Sequence, residues 1–256
     1  MLNPDRFKDL EHGSKVFMNL IELLVHKEGG TVELTDKEEK RAASYLDTPE
    51  LALRQLGYSL RLRKDAKSFQ INLKYRSSDR YLAANQDLSS NHPDKKAVSH
   101  KFEEDILPPF VSKFSHSASI KFDKHPDIKT VQQLVALFPG LKKLPLDADD
   151  AIRTINNFEA HEVVRKLCKF RFDDSIDLKA CLSFWYLQEN TEDWPLVGEF
   201  SFDYDQPEDA TKNGELESYP SAVVTGANRF FVALQSQAGW INFNTTTKTA
   251  FALEVL

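Results

Sequence analysis

Tyr45-Leu46-Asp47-Thr48-Pro49-Glu50-Leu51-Ala52-Leu53-Arg54-Gln55-Leu56-Gly57-Tyr58-Ser59-Leu60-Arg61-Leu62-Arg63 is the stretch on which the reading of this chain turns. Asp47-Thr48-Pro49-Glu50 has the form of a helix start: a capping carboxylate, a proline whose fixed φ suits the first turn, and an early acid. A strand ending near Tyr45 therefore passes into a short helical turn, and Gly57 closes it. Beyond the glycine the pattern changes to period two. Tyr58, Leu60 and Leu62 share one face; Ser59, Arg61 and Arg63 share the other.

The alternation continues outward. In Phe69–Lys74, Phe69, Ile71 and Leu73 oppose Gln70, Asn72 and Lys74, and the short link Lys64–Ser68 predicts a hairpin. Gln86–Lys96 reads as a loop, and Lys101–Ile106 alternates again. Upstream, Asn3-Pro4 opens a helical segment. A longer helix capped by Ser14 places Phe17, Leu20, Ile21, Leu24 and Val25 on one face and stops at Gly29-Gly30. Downstream, a helix is predicted over Ile128–Phe138, with strands at about 161–172, 177–188 and 196–204. A polar loop follows over Asp205–Glu217, then a helix at about 219–236 and short strands at Trp240–Phe243 and Thr249–Val255. The fold class is α+β: an antiparallel sheet in two related halves of a single domain, with flanking helices.

Most of these strands oppose an apolar face to one carrying charges of both signs. The charged face collects Arg61, Arg63, Lys74, Lys101, Glu103, Asp105, Arg165, Lys169, Arg171, Glu199 and Asp203. Alternation alone leaves two readings open. In one, an antiparallel sheet has one wet face. In the other, the sheet closes into a tunnel or barrel and the same side chains line its lumen, where each needs a partner or a ligand.

The quoted stretch resembles the signature of the CYTH family, the triphosphate tunnel metalloenzymes: Y-[FYL]-D-T-P-x-L-x-L-x-x-x-G-x-x-L-R-x-R. Asn72-Leu73-Lys74 falls where that family carries T-L-K. Lys101-Phe102-Glu103-Glu104-Asp105 looks like its alternating-acid strand, and Val197-Gly198-Glu199-Phe200-Ser201-Phe202-Asp203 like its E-x-E-x-E strand. The resemblance implies an antiparallel tunnel of about eight strands. It also implies cleavage of tripolyphosphate, thiamine triphosphate or another triphosphate with Mg²⁺ or Mn²⁺, or, in one branch, cyclisation of ATP. Carried over by position, Arg61, Arg63 and Lys74 grip phosphates, joined by Arg165 and Lys169 from the second half. Glu103, Asp105 and Glu199 hold metal, with Glu103 and Glu199 as the catalytic acids.

The chain departs from the pattern at several places. Met1–His12 lacks the family's opening E-x-E-x-K strand; Glu33-Leu34-Thr35-Asp36-Lys37 approximates it only after the first helix. The second acid of the late strand is Ser201, and Ser183 stands near where another is expected. Lys248 matches a late family lysine. Cations are kept better than acids, which suits a non-catalytic polyanion- or nucleotide-binding module as the alternative to a hydrolase.

The bulk properties agree with a globular protein. Eighteen Phe among 256 residues can fill a sizeable core. A net charge of −6 argues against binding a nucleic-acid duplex. No apolar run suggests a membrane span or a leader, so the expected location is cytoplasmic. Two cysteines, Cys168 and Cys181, read as packing residues on opposite strand faces, and the seven His residues show no metal-ligand spacing.

Overall fold

The computed structural model describes residues 1–187, 194–204, 219–243 and 247–254. The expected loop over 205–217 lies outside them, as does the last residue of the expected 177–188 strand. The chain is α+β, as the alternation predicted. Its eight strands are β1 (Thr31–Asp47), β2 (Tyr58–Lys64), β3 (Phe69–Ser77), β4 (Val98–Leu107), β5 (Val111–Phe122), β6 (Arg153–Arg171), β7 (Leu178–Tyr186) and β8 (Val197–Tyr204). They are hydrogen-bonded in the order β4-β5-β3-β2-β1-β6-β7-β8, and the registers seen are antiparallel. The helices are α1 (Leu10–Lys27), α2 (Ala52–Gln55), α3 (Arg80–Ala84), α4 (Val131–Leu137), α5 (Ser221–Gln235) and α6 (Lys248–Glu254). No helix is long and apolar enough to cross a membrane.

The chain divides into two compact units. The first comprises Met1–Lys40 and Glu162–Lys248. Its core packs the inner face of α1 (Phe17, Ile21, Leu24, Val25) with Phe170, Leu178, Leu182, Phe184 and Phe230. Phe230 from α5 meets Phe170 at 5.0 Å and Phe202 at 5.4 Å between ring centroids, within the range in which aromatic pairs attract. The second unit comprises Arg41–His161 and Thr249–Leu256. Its core sets Tyr58, Leu60, Ile71, Leu73, Ala118 and Ile120 of the sheet against Val131, Leu134 and Phe138.

Five elements differ from the sequence expectation. The first long helix starts at Leu10, because Asp9 and not Ser14 caps it by accepting from His12 N; Ser14 is buried in the helix. β5 is a strand that the sequence reading passed over. Its serines at 115, 117 and 119 occupy one face, where apolar periodicity is silent. β6 begins at Arg153, before the expected 161, with Asn156 and Asn157 at φ of 52° and 53° interrupting the alternation. The expected strand at Thr249–Val255 is helix α6 over its described residues, 249–254, with Val255 outside them; its Ala, Leu and Glu are good helix formers. Trp240–Phe243 contributes only a bridge from Ile241 to Leu2.

Asp47 earns its place in the opening motif by a longer reach than a simple cap. Its carboxylate accepts from Thr48 N at 2.7 Å, Leu53 N at 2.9 Å and Arg54 N at 3.0 Å. Those bonds tie the end of β1 to α2, while Gly57 turns the chain at φ 85°, a conformation costly for a side-chain-bearing residue. The arginines of β2 are thereby delivered in fixed phase.

Candidate functional site

The second unit builds a basic face across four neighbouring strands, β2, β3, β5 and β4. Arg61 pairs with Asn72 and Arg63 with Gln70 across β2 and β3, and opposed residues share a face. Lys74 and Arg76 follow at two-residue steps. On β5 they meet Ser117 and Ser115, which in turn face Lys101 and Glu103 of β4. The serines are small, so side chains from β3 and β4 reach across the strand between them. Lys74 Nζ donates to Glu103 Oε2 at 3.3 Å, and Arg76 Nη2 to Asp105 Oδ2 at 2.7 Å. Lys101 Nζ stands 3.6 Å from Glu103 Oε1.

Burial pushes the Lys74 pKa below the ordinary lysine value, an effect that Glu103 and Asp105 offset only in part and that Arg76 reinforces. The Glu103 carboxyl is also disfavoured by burial, yet Lys74 and Lys101 bring it below the usual value. Arg61 Nε, Arg76 Nε and Ser115 Oγ are buried with no hydrogen-bond partner among the described residues. Asn72 is satisfied, donating to Ser119 Oγ at 2.8 Å.

The first unit holds the remaining expected residues. Arg165 on β6, only 10% exposed in its side chain, donates to both carboxylate oxygens of Glu11 from α1 and to Glu38 Oε2 at 2.9 Å from β1. Hydrogen bonding to Glu11 is the main reason its pKa rises. With Asp9, Leu10, Lys40 and Val163 these groups line a cleft of about 210 Å³. Lys169 is engaged elsewhere, donating at 2.9 Å to Asp177, which also accepts from Arg171. Those two cations hold Asp177 down at about 2.

Glu199 on β8 belongs to a third group. Lys248 Nζ lies 2.9 Å from Glu199 Oε1, 2.9 Å from Glu162 Oε1 and 2.9 Å from Ser183 Oγ. Ser183 donates to Glu162 Oε1 at 2.6 Å and Trp185 Nε1 does so at 3.1 Å. Burial disfavours the Lys248 charge, but Glu199 and Glu162 outweigh it and the pKa rises.

The expected metal ligands are thus all in ion pairs: Glu103 with Lys74, Asp105 with Arg76, Glu199 with Lys248. Among the described residues no three His, Cys, Asp or Glu side chains gather as a metal centre. As arranged, this donor set does not fit a resident Mg²⁺ or Mn²⁺. Glu162, Arg76 and the β5 serines escaped the sequence reading. Extending the alternation by one step past Lys74 finds Arg76, and Ser115-His116-Ser117-Ala118-Ser119 alternates openly. Glu162 carries no such signal. Neither cysteine forms a disulfide, and burial pushes the Cys168 thiol up to about 12, which agrees with a packing role.

No family model and no curated protein matches the chain. Among solved structures it is similar to a Hippeastrum protein described as a candidate adenylyl cyclase with a dominant triphosphatase activity, at 13% identity and a TM-score of 0.41, over 92% of this chain and 88% of that one. It is also similar to a Bacillus halodurans protein described as a candidate adenylate cyclase, at 11% identity and a TM-score of 0.37, over 86% of this chain and 93% of that one.

Proposed function

We propose that the basic face of the second unit binds a small polyanion of the triphosphate class. The observation that carries the reading is the set of buried donors without partners among the described residues, Arg61 Nε, Arg76 Nε and Ser115 Oγ, on one face with Lys74. A buried donor left unpaired costs about 1–3 kcal/mol. Phosphate oxygens supply several acceptors, and their negative charge would offset the burial that disfavours the Lys74 ammonium. Arg61 and Arg63 grip the anion as the sequence motif implies, and Arg76 extends the grip.

The reading is one of binding first. Hydrolysis requires divalent charge on the phosphates, and the carboxylates that would hold Mg²⁺ or Mn²⁺ are paired with the chain's own cations. Isothermal calorimetry with tripolyphosphate, in chelator and in Mg²⁺, tests the proposal. Saturable binding in chelator that weakens in Arg61→Ala supports it; no binding in either buffer overturns it. Phosphate release that requires Mg²⁺ or Mn²⁺ replaces it with the hydrolase reading.

A further inference from the structure

β4 stands at one end of the strand order. It pairs with β5 on one side, and among the described residues no strand pairs with it on the other. An edge strand presents a row of backbone donors and acceptors to any strand that fits it, and proteins usually blunt that edge with a short strand, a bulge or a proline. β4 uses none of the three. It runs ten residues, its register with β5 is unbroken from Val98↔Ile120 to Leu107↔Val111, and Pro108 lies beyond its end.

The side chains add apolar surface along this edge. Phe102 and Ile106 share a face and are 40% and 45% exposed. The Phe102 ring stacks on Phe114, with centroids 6.4 Å and planes 14° apart, which holds it on the sheet. His100 and Glu104 flank it on the same face and are exposed. On the other face, Lys101 and Glu103 stand two residues apart and attract each other at 3.6 Å.

This strand complements itself when reversed. Two identical antiparallel strands related by a twofold axis set residues of one face opposite each other, so their register is centred on one residue. Centred on Phe102, the two Phe102 rings meet, Lys101 opposes Glu103, His100 opposes Glu104 and Val98 opposes Ile106. No like charges face each other. Centring on Lys101 sets lysine against lysine, and centring on Glu103 or Glu104 sets acid against acid. Centring on His100 leaves only residues 98–102 paired. Charge and length therefore select one register.

We propose that β4 pairs edge to edge with β4 of a second copy of this chain, antiparallel and centred on Phe102, to form a homodimer. Backbone bonds supply the pairing, the Phe102 and Ile106 side chains bury apolar surface, and each opposite-charge pair occurs twice across the axis. The proposal is independent of polyanion binding, and its test contains no phosphate.

Sedimentation equilibrium of the full chain reads the association. Wild type is expected to form a species of twice the chain mass as concentration rises; a chain that stays monomeric at its highest soluble concentration overturns the proposal. Phe102→Lys sets two ammonium groups against each other on the axis and should abolish the dimer. His100→Glu should weaken it about tenfold, because the new acid–acid pair also occurs twice, and adding Glu104→Lys should restore it. Register is read with a thiol oxidant. Phe102→Cys should give a disulfide-linked dimer, whereas Glu104→Cys, whose two copies lie about 13 Å apart along the strands, should not. A dimer that survives in Phe102→Lys, or equal cross-linking of the two cysteine variants, overturns the proposal. If Phe102→Lys loses its native circular dichroism, the His100 and Glu104 charge exchange decides: no weakening in His100→Glu, or no recovery in the double variant, overturns it.

Discussion

Lys74 of β3 and Glu103 of β4 meet at 3.3 Å across the intervening strand β5, because the residues between them there are Ser115 and Ser117. Glu103 therefore occupies one of the cations that the proposed ligand needs. The sequence pattern casts the same residue as a metal ligand, and the two roles make opposite forecasts. Under the binding reading, Glu103→Gln removes a competing anion and tightens tripolyphosphate binding a few-fold, roughly 0.5–1 kcal/mol for a partly exposed pair. Calorimetry in chelator checks it; weaker binding in the variant refutes the competition.

Arg61→Ala should weaken tripolyphosphate binding by roughly 1.5–3 kcal/mol, the usual range for a charge-assisted bond. The Arg61 side chain has no ion pair among the described residues, so its removal leaves no carboxylate orphaned. The melting temperature without ligand should barely change, whereas the rise on adding ligand should shrink. Thermal scans with and without ligand separate the two effects.

The motif that decided the reading carried the hairpin and the phase of Arg61, Arg63 and Lys74, since period two is fixed by backbone geometry. β2 and β3 pair from Tyr58↔Tyr75 to Lys64↔Phe69, as the short link required. What stayed hidden depended on long-range pairing. Glu162 and Lys248 are 86 positions apart, and no local period joins them. The pairing of Glu11 with Arg165 was equally invisible, because an exposed acid in the first turn of α1 looks like an ordinary helix-dipole residue. Ser115, Ser117 and Ser119 were legible as alternation but not as strand, because serines lack the apolar signal that marks a buried face.

Phe230→Ala should cost about 3–5 kcal/mol, since the ring is fully buried and its loss opens a cavity among Phe170, Phe200 and Phe202. Urea unfolding followed by circular dichroism measures the change. A loss under about 1 kcal/mol would show that the α5 face does not carry the core assigned to it.

Acid should reveal the Asp177 pairings. The folded pKa of about 2 lies below the ordinary 3.8, so the ionised carboxylate stabilises the fold. That contribution is complete above 3.8 and fades as pH falls from there through about 2. Lys169 and Arg171 are partly exposed, so water screens the pairs and the effect is small. Melting curves of wild type and Asp177→Asn should converge over that window; a constant gap between them contradicts the assignment.

Glu11 offers the sharpest test of the other expected phosphate-binding arginine. Its side chain is 81% exposed, while that of its partner Arg165 is 10% exposed. Bonding to Arg165 holds the Glu11 carboxyl below its usual value, but a carboxylate so open to water contributes little stability. Arg165 keeps Glu38 when Glu11 is removed, so no guanidinium is left buried and unpaired. Glu11→Gln should therefore melt within about 1 °C of wild type, as surface substitutions do. It also frees one edge of the guanidinium toward the cleft lined by Asp9, Lys40 and Val163. If Arg165 is an anion-binding residue blocked by its own chain, the variant should gain affinity for inorganic pyrophosphate, and Arg165→Met on top should abolish the gain. Asp9 and Glu38 remain as acids at the cleft, so the gain should be modest and should fall with added salt. Pyrophosphate titrations at two ionic strengths decide the matter: no gain in Glu11→Gln at low salt assigns Arg165 to holding α1 against the sheet and not to binding a ligand.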